Sequence, residues 1–199
     1  MTVLRVLRYS AWGTLAGFLI VLVLVSTDVI RVKTNQSTPV AAVGGDFSLT
    51  DQDGAARNWA DFRGKASAVF FGFTQCPEIC PTTLWELSER MKALGPRADG
   101  LNVVFISVDP ERDKPEVLKR YMQSFDPRIV ALTGSEAETD KAVAAFKAYR
   151  KKVPTEGGDY TMDHTALVFL FRPDGQFVST LDRHETAEAQ MQKIERVLE

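Results

Sequence analysis

The chain has 199 residues, of which 45% are apolar and 25% are charged. These proportions are ordinary for a soluble fold, and the length suits one globular domain with an appendage. The formal net charge of −2 and the scattered lysines offer no long basic surface, so nucleic acid is not an expected partner.

The appendage is at the N-terminus, where 19 residues between Arg8 and Asp28 carry no charge. A helix needs roughly 20 apolar residues to cross a bilayer, so we predict a membrane anchor over residues 1–30. A cleavable signal peptide is a weaker interpretation, because the stretch ends in Ser26-Thr27-Asp28 without an Ala-x-Ala-like site. A buried core helix is also disfavoured by the terminal position and the basic flanks.

The basic residues around this stretch predict its orientation. Arg5, Arg8 and the amino terminus precede it, which favours a cytoplasmic N-terminus under the positive-inside rule. Residues 31–45 are polar, then small and Gly-rich, and are predicted to be a linker. Residues 46–199 would then form a domain on the periplasmic side of a bacterial inner membrane, held by a single-pass anchor.

Beyond the linker, apolar strand patterns alternate with helical ones. The predicted elements are a strand at 47–50 with a turn at 51–54, a buried strand at 66–73, a helix that begins near Pro81 and ends at Gly95, a buried strand at 102–108, a helix at 115–124, a short strand at 129–132, a helix capped by Ser135 that carries Val143, Phe146 and Tyr149, a hairpin of 165–171 with 176–181, and a final helix from Thr186. This order predicts an α/β fold with a thioredoxin-like mixed sheet flanked by helices and an N-terminal β-hairpin extension.

Both cysteines of the chain, Cys76 and Cys80, lie in the loop between the strand at 66–73 and the next helix. In a helical turn, residues four apart place their Cβ atoms about 5–6 Å apart, so a disulfide between them is geometrically allowed. It would close a very small ring and add little entropic stability, which makes a purely structural disulfide a weak explanation. The spacing is compatible with either a redox pair or a metal site.

Two effects on the Cys80 thiol oppose each other. Its position at a helix start favours the thiolate, since the helix dipole and free N–H groups stabilise negative charge there. Glu78, between the two cysteines, disfavours a second negative charge. The direction of the pKa shift is therefore open at this point.

His164 is the third candidate ligand. It lies in the loop that enters the predicted strand 165–171, and a thioredoxin-like topology places this loop beside the start of the cysteine helix. Two thiolates and one imidazole suit copper, whereas zinc accepts the same donors but usually takes a fourth. The other histidine, His184, is flanked by charged residues and is predicted to be solvated.

Three segments in order resemble the motifs of the Sco/SenC family. They are residues 73–84 (Phe-Thr-Gln-Cys-Pro-Glu-Ile-Cys-Pro-Thr-Thr-Leu), residues 106–113 (Ile-Ser-Val-Asp-Pro-Glu-Arg-Asp) with 115–118, and residues 163–165 (Asp-His-Thr). Leu132-Thr133-Gly134 is also similar, and the resemblance extends from about residue 46 to the C-terminus.

The resemblance implies a membrane-anchored, thioredoxin-like copper protein that helps assemble the CuA centre of cytochrome c oxidase. It implies one copper ion per monomer on Cys76, Cys80 and His164. The expected partners are the CuA-bearing oxidase subunit, an upstream copper donor and a thiol reductant. Asp163 is a candidate to orient the His164 imidazole by a hydrogen bond, the alternative being an exposed loop acid.

Other interpretations accompany this one. Residues 109–113 either belong to a loop near the site or make turn and cap contacts, and Met162 is expected to serve packing. The leading function is a metal-binding chaperone rather than an enzyme. The alternatives are a periplasmic thiol–disulfide oxidoreductase, which reduces the CuA-site or chaperone cysteines, and a redox or copper sensor.

Overall fold

The computed structural model describes residues 18–19 and 43–199. By its contacts, the chain divides into Met1–Ala41 and Ala42–Glu199. Among the helices of the described residues, none has both the length and the apolarity that a membrane crossing requires. Most of the predicted anchor (1–30) and linker (31–45) lies outside the described residues, so these two assignments stay predictions.

Residues 43–199 alternate strands and helices in nearly the predicted order. The strands are β1 (Ser48–Asp51), β2 (Ala56–Asn58), β3 (Ala66–Gly72), β4 (Leu101–Ser107), β5 (Val130–Thr133), β6 (Arg150–Pro154), β7 (Tyr160–His164), β8 (Val168–Phe171) and β9 (Phe177–Leu181); the α-helices are α1 (Ile79–Leu94), α2 (Pro115–Met122), α3 (Glu136–Ala145) and α4 (Ala187–Leu198). Short 3₁₀ helices follow β2 and α1.

Seven strands form one mixed sheet in the order β2-β1-β5-β4-β3-β8-β9. The pairs β3–β4 and β4–β5 are parallel, and β8 is antiparallel to β3. All seven residues of β3 are buried, as its continuous apolar sequence predicts for a strand covered on both faces. The solved structures described below confirm the predicted thioredoxin-like α/β fold.

The parallel pairing determines where the functional loops lie. Gly72 at the end of β3 is opposite Ser107 at the end of β4. Parallel strands end at the same edge of a sheet, so the loops that follow β3 and β4 start side by side. The first contains the cysteines, and the second contains Asp109 to Asp113.

The described residues of the domain begin inside the predicted linker. Val43 packs against the hydrophobic core, and the N–H of Gly44 donates to the carbonyl oxygen of Ala145 at 3.0 Å. Gly44 has a φ of +90°, and a Cβ there would lie 2.7 Å from the Phe171 ring. The position therefore favours glycine on both conformational and steric grounds.

Two expectations about the segment after α3 are wrong. Tyr149 is not part of that helix, which ends at Ala145, and its side chain is 50% exposed. Residues 150–164 form a separate two-stranded antiparallel sheet, β6–β7, that the sequence analysis missed. His164 is the last residue of β7 rather than part of a loop.

Candidate metal centre

The cysteine loop is a turn that leads directly into α1. The Cys76 N–H donates to the carbonyl oxygen of Phe73 at 3.3 Å, and the Cys80 N–H donates to the Cys76 sulfur at 3.3 Å. Pro81 occupies the first turn of α1, where a missing N–H costs no helical hydrogen bond. The two cysteines are not joined by a disulfide, and Cys80 is buried whereas Cys76 is half-buried.

His164 approaches the same loop from the end of β7. Its Nε2 lies 3.6 Å from the Cys80 sulfur, and its Nδ1 lies 3.0 Å from the carbonyl oxygen of Thr165. A carbonyl oxygen only accepts, so Nδ1 carries the proton and the Nε2 lone pair is directed towards the sulfur. The rings of Phe70 and Phe73 contact the imidazole edge-on, which restricts its orientation.

The structure brings together the three predicted ligands. One donor atom each from Cys76, Cys80 and His164 lies within 4.8 Å of the other two. Among the described residues, no other group of three cysteine, histidine or acidic side chains is arranged in this way. His184 is exposed and does not join the cluster.

The structure assigns the orientation of His164 to a different group from the predicted one. Side chains alternate across a strand, so Met162 and His164 point to one face of β7 and Asp163 points to the other. Met162 is buried, as expected for packing, and Asp163 is exposed. The partner of Nδ1 is the Thr165 carbonyl oxygen, so in this structure a backbone group rather than Asp163 orients the imidazole.

The two thiols have opposite acidities. The pKa of Cys76 is lowered to about 4, chiefly by the hydrogen bond from the Cys80 thiol. The backbone N–H groups of Cys80 and Glu78 act in the same direction, against the effect of burial. The same thiol–thiol contact, followed by burial, raises the pKa of Cys80. The thiolate favoured by the helix start therefore forms at Cys76 rather than at Cys80.

Asp113 attaches the cysteine loop to the end of β4. Its buried carboxylate accepts from the N–H and hydroxyl of Thr74 at 3.0 and 2.6 Å, and from the hydroxyl of Ser107 at 2.6 Å. Burial raises the pKa of Asp113, although these hydrogen bonds oppose the shift. The carboxylate thereby holds the residue that starts the loop.

Arg112 connects the cysteine loop to the β6–β7 hairpin. Its Nη1 donates to the side-chain oxygen of Gln75 at 2.9 Å and to the carbonyl oxygen of Tyr160 at 3.0 Å. Its Nε donates to Asp109, which is 1% exposed and also accepts from the Tyr160 hydroxyl at 2.9 Å. The guanidinium lies over the Tyr160 ring at 3.8 Å. One side chain thus joins the two segments that supply the ligands.

Arg112 and Tyr160 have no local sequence signal that indicates positioning residues. The sequence is compatible with residues 109–113 either bordering the site or making turn contacts, and the structure shows that they do both. A signal for the hairpin was present in Gly157-Gly158, a dipeptide typical of tight hairpins. Both glycines have positive φ, +88° and +85°.

The comparisons with known proteins agree with this geometry. The family model described as SCO1/SenC matches residues 35–199. The chain belongs to the SCO1/SenC family. The structure of ScoI from Bradyrhizobium japonicum with copper bound is 49% identical, covers 78% of this chain and 99% of that chain, and has a TM-score of 0.74.

Two other relatives extend the comparison within the SCO1/SenC family. The mitochondrial SCO2 homolog of Homo sapiens is 40% identical over 168 residues, which are 82% of this chain but 63% of that protein. The chain thus spans less than two thirds of that relative's length. BsSco is a member of the Sco family of cytochrome c oxidase assembly proteins in which a disulfide switch has been identified. Its structure is 25% identical, covers 81% of this chain and 96% of that chain, and has a TM-score of 0.64.

The asymmetry of the thiols predicts selective alkylation. In the reduced, metal-free protein, Cys76 is a thiolate above about pH 5 while Cys80 stays protonated, since the pKa of Cys76 is lowered to about 4 and that of Cys80 is raised. Iodoacetamide at about pH 6 should therefore label Cys76 and spare Cys80, as mapped by peptide mass spectrometry. Equal labelling of both, or labelling of Cys80 first, would contradict this assignment.

Arg112→Lys should weaken metal binding without unfolding the domain. Lysine keeps a positive charge near the buried Asp109 but lacks the planar fork, in which Nε binds Asp109 while Nη1 binds Gln75 and Tyr160. We expect copper affinity to fall about tenfold, as for other groups that hold ligands in place. The measurement is Cu(I) competition against a chelator, with Arg97→Lys as the control at an exposed ion pair with Glu195. Wild-type affinity in Arg112→Lys would refute the role.

Proposed function

We propose that this protein is a copper chaperone that helps assemble the CuA centre of cytochrome c oxidase. One observation carries the proposal: two sulfurs and one imidazole nitrogen, from segments 84 positions apart, converge within 4.8 Å. Copper is the cargo, and one ion would be held by Cys76, Cys80 and His164. Copper-bound relatives with this fold support the choice of metal.

The donor set fits a copper ion of low coordination number. With metal–sulfur bonds of about 2.3 Å, three donors in a plane around one ion stand about 4 Å apart. The observed upper limit of 4.8 Å needs only small side-chain movements. Soft thiolates favour Cu(I), and imidazole accepts either oxidation state of copper. No fourth ligand of the kind zinc prefers joins the cluster among the described residues.

The exposure of the ligands supports transfer to a partner. Cys80 is buried, whereas Cys76 and His164 are half-buried, so the site is open on one side. An incoming ligand from the partner can approach this side and replace the accessible ligands one at a time. Stepwise exchange between similar donors avoids releasing the free ion.

The proposal includes a location and partners. An anchor at residues 1–30 and a linker at 31–45 would hold the domain at 46–199 on the periplasmic side of a bacterial inner membrane. The uncharged stretch between Arg8 and Asp28 supports the anchor. The partners would be the CuA-bearing subunit, an upstream copper donor and a reductant that keeps the two thiols reduced.

Removal of any one ligand tests the copper site. Cys76→Ser, Cys80→Ser and His164→Ala should each weaken Cu(I) binding more than about a hundredfold, since loss of a ligand exceeds the effect of losing a supporting group. Anaerobic titration against a chelator measures this, and His184→Ala is the control because that histidine is exposed. If the three variants bind like the wild type, the proposed site is wrong.

A second function, thiol–disulfide exchange, is favoured by the lowered pKa of Cys76. A thiolate is the attacking form in disulfide exchange, and Cys80 lies next to it as the resolving thiol. In such a reaction the dithiol loses two electrons and two protons while the substrate disulfide gains them. The two functions are compatible, because copper binds only while both thiols are reduced.

His164→Ala should separate the two functions. The variant keeps both cysteines, so reduction of a small disulfide substrate should be largely retained while copper binding is lost. The rate of substrate reduction is compared with that of the wild type and of Cys76→Ser, which should lose both functions. Loss of reduction and copper binding together in His164→Ala would count against a separable reductase.

A further inference from the structure

Gly72, the last residue of β3, is a buried glycine whose backbone conformation does not require glycine. It lies in an extended strand, and its φ is not positive. A glycine inside a strand weakens that strand, and it often marks a place where another group approaches the backbone closely. The strand therefore lacks a side chain here because the space is needed, and not because the backbone needs conformational freedom.

The Cys80 sulfur and two aromatic rings occupy the volume that a side chain on Gly72 would need. A Cβ at this position would lie 2.8 Å from the Cys80 sulfur, 2.7 Å from Cε2 of Phe105 and 3.2 Å from Cε1 of Phe70. Ordinary contacts of a Cβ begin at 3.4 Å. All three side chains are fully buried, and a close-packed interior offers them little room to move. We call the volume left by the missing side chain the Gly72 recess.

The Gly72 recess lies at the base of the metal site. Phe70 points to the same face of β3 as this recess, because side chains alternate along a strand. The Phe70 ring contacts the His164 imidazole edge-on, with the ring centroids 6.4 Å apart. The Nε2 of this imidazole lies 3.6 Å from the Cys80 sulfur. The end of β3 thus contacts two of the three ligands, the imidazole through Phe70 and the buried sulfur through the recess.

We propose that Gly72 is a positioning residue of the copper site, because the Gly72 recess lets the Cys80 sulfur lie where it can share one ion with Cys76 and His164. A Cβ at position 72 would push this sulfur away by about 0.6 Å, from 2.8 Å to the 3.4 Å of an ordinary contact. Groups that bind a ligand need to be held within about 0.5 Å of their working geometry. The inference rests on the proposed copper-binding function and adds the residue that sets the position of the buried ligand.

Gly72→Ala should weaken Cu(I) binding by about ten- to a hundredfold, the usual effect of losing a group that holds a ligand in place. Anaerobic competition against a chelator measures this. Gly100→Ala is the matched control, since Gly100 also lacks a positive φ and its Cβ would meet only the Leu198 side chain, at an ordinary 3.4 Å. Gly100 directly precedes β4, at the edge of the sheet opposite the metal site. The control should bind copper like the wild type.

A Phe105→Leu background separates the effect of the ring from that of the sulfur. Phe105→Leu removes the ring edge that the new Cβ would meet and leaves the Cys80 sulfur in place. Adding Gly72→Ala to Phe105→Leu should still lower Cu(I) affinity about tenfold relative to Phe105→Leu alone, because the sulfur is still displaced. Equal affinity of these two proteins would overturn the inference, since the glycine would then accommodate only the aromatic ring.

Unfolding of the metal-free protein gives a measurement that does not depend on copper. Overpacking a buried site destabilises a fold, so Gly72→Ala should lower the midpoint of denaturant unfolding. Cys80→Ala removes the sulfur, and in that background the same substitution should lower the midpoint less, as a double-mutant cycle would show. An equal loss in both backgrounds, including a failure of both proteins to fold, would overturn the inference, because the sulfur would not be the group in contact.

The outcomes distinguish this inference from the proposed function. Wild-type copper affinity in Gly72→Ala would overturn the inference and leave the copper site standing. A wild-type chain that takes up no copper would overturn the proposed function, and the role of Gly72 in copper binding with it. Weaker binding in Gly72→Ala together with a smaller loss of stability in the Cys80→Ala background would support both.

Discussion

The ion pair between Arg112 and Asp109 is the interaction on which the metal site depends. The ligands come from two segments, and no strand of the main sheet joins the β6–β7 hairpin to the cysteine loop. The buried carboxylate of Asp109 holds the guanidinium, which then reaches Gln75 on one side and Tyr160 on the other. Because an unpaired charge at Asp109 would be costly, burial keeps Arg112 in this position. The imidazole is thereby brought to the sulfurs.

The two cysteines differ in what the fold does to them. Cys76 is half-buried and accepts several hydrogen bonds, so it carries the negative charge of the reduced pair. Cys80 is buried beneath it and holds its proton. The accessible sulfur of Cys76 is suited to react with a substrate disulfide or to exchange copper with a partner's ligand. The buried sulfur of Cys80 is suited to keep the copper ion bound. The same asymmetry therefore serves metal transfer and thiol exchange, which explains why the two functions can share one loop.

Much of the fold was predictable because its elements have strong local signals. The buried strand β3 is continuously apolar, Ser135 and Glu138 form the predicted capping box, and the last helix begins directly after Thr186, close to its predicted start. The missed elements have weak signals. Strand β6 is largely exposed and β7 is mostly half-buried, so neither shows the alternation of apolar and polar residues by which hydrophobic periodicity reveals a strand. Their hairpin is stabilised by Arg112 and Tyr160, contacts that no local pattern encodes.

The sequence by itself determined the ligand types, since it contains two cysteines in one loop and a single histidine at the entrance to a neighbouring strand. It also determined the order of the main elements, because helical and strand periodicities are local properties of the chain. The tertiary structure alone decided which thiol is ionised, which group orients His164, and what holds the two ligand segments together. These depend on burial and on hydrogen bonds between residues far apart in sequence, such as Thr74 with Asp113 and Gln75 with Arg112. The cysteine spacing is compatible with either a redox pair or a metal site. Folding adds the His164 imidazole, so that three donor atoms converge.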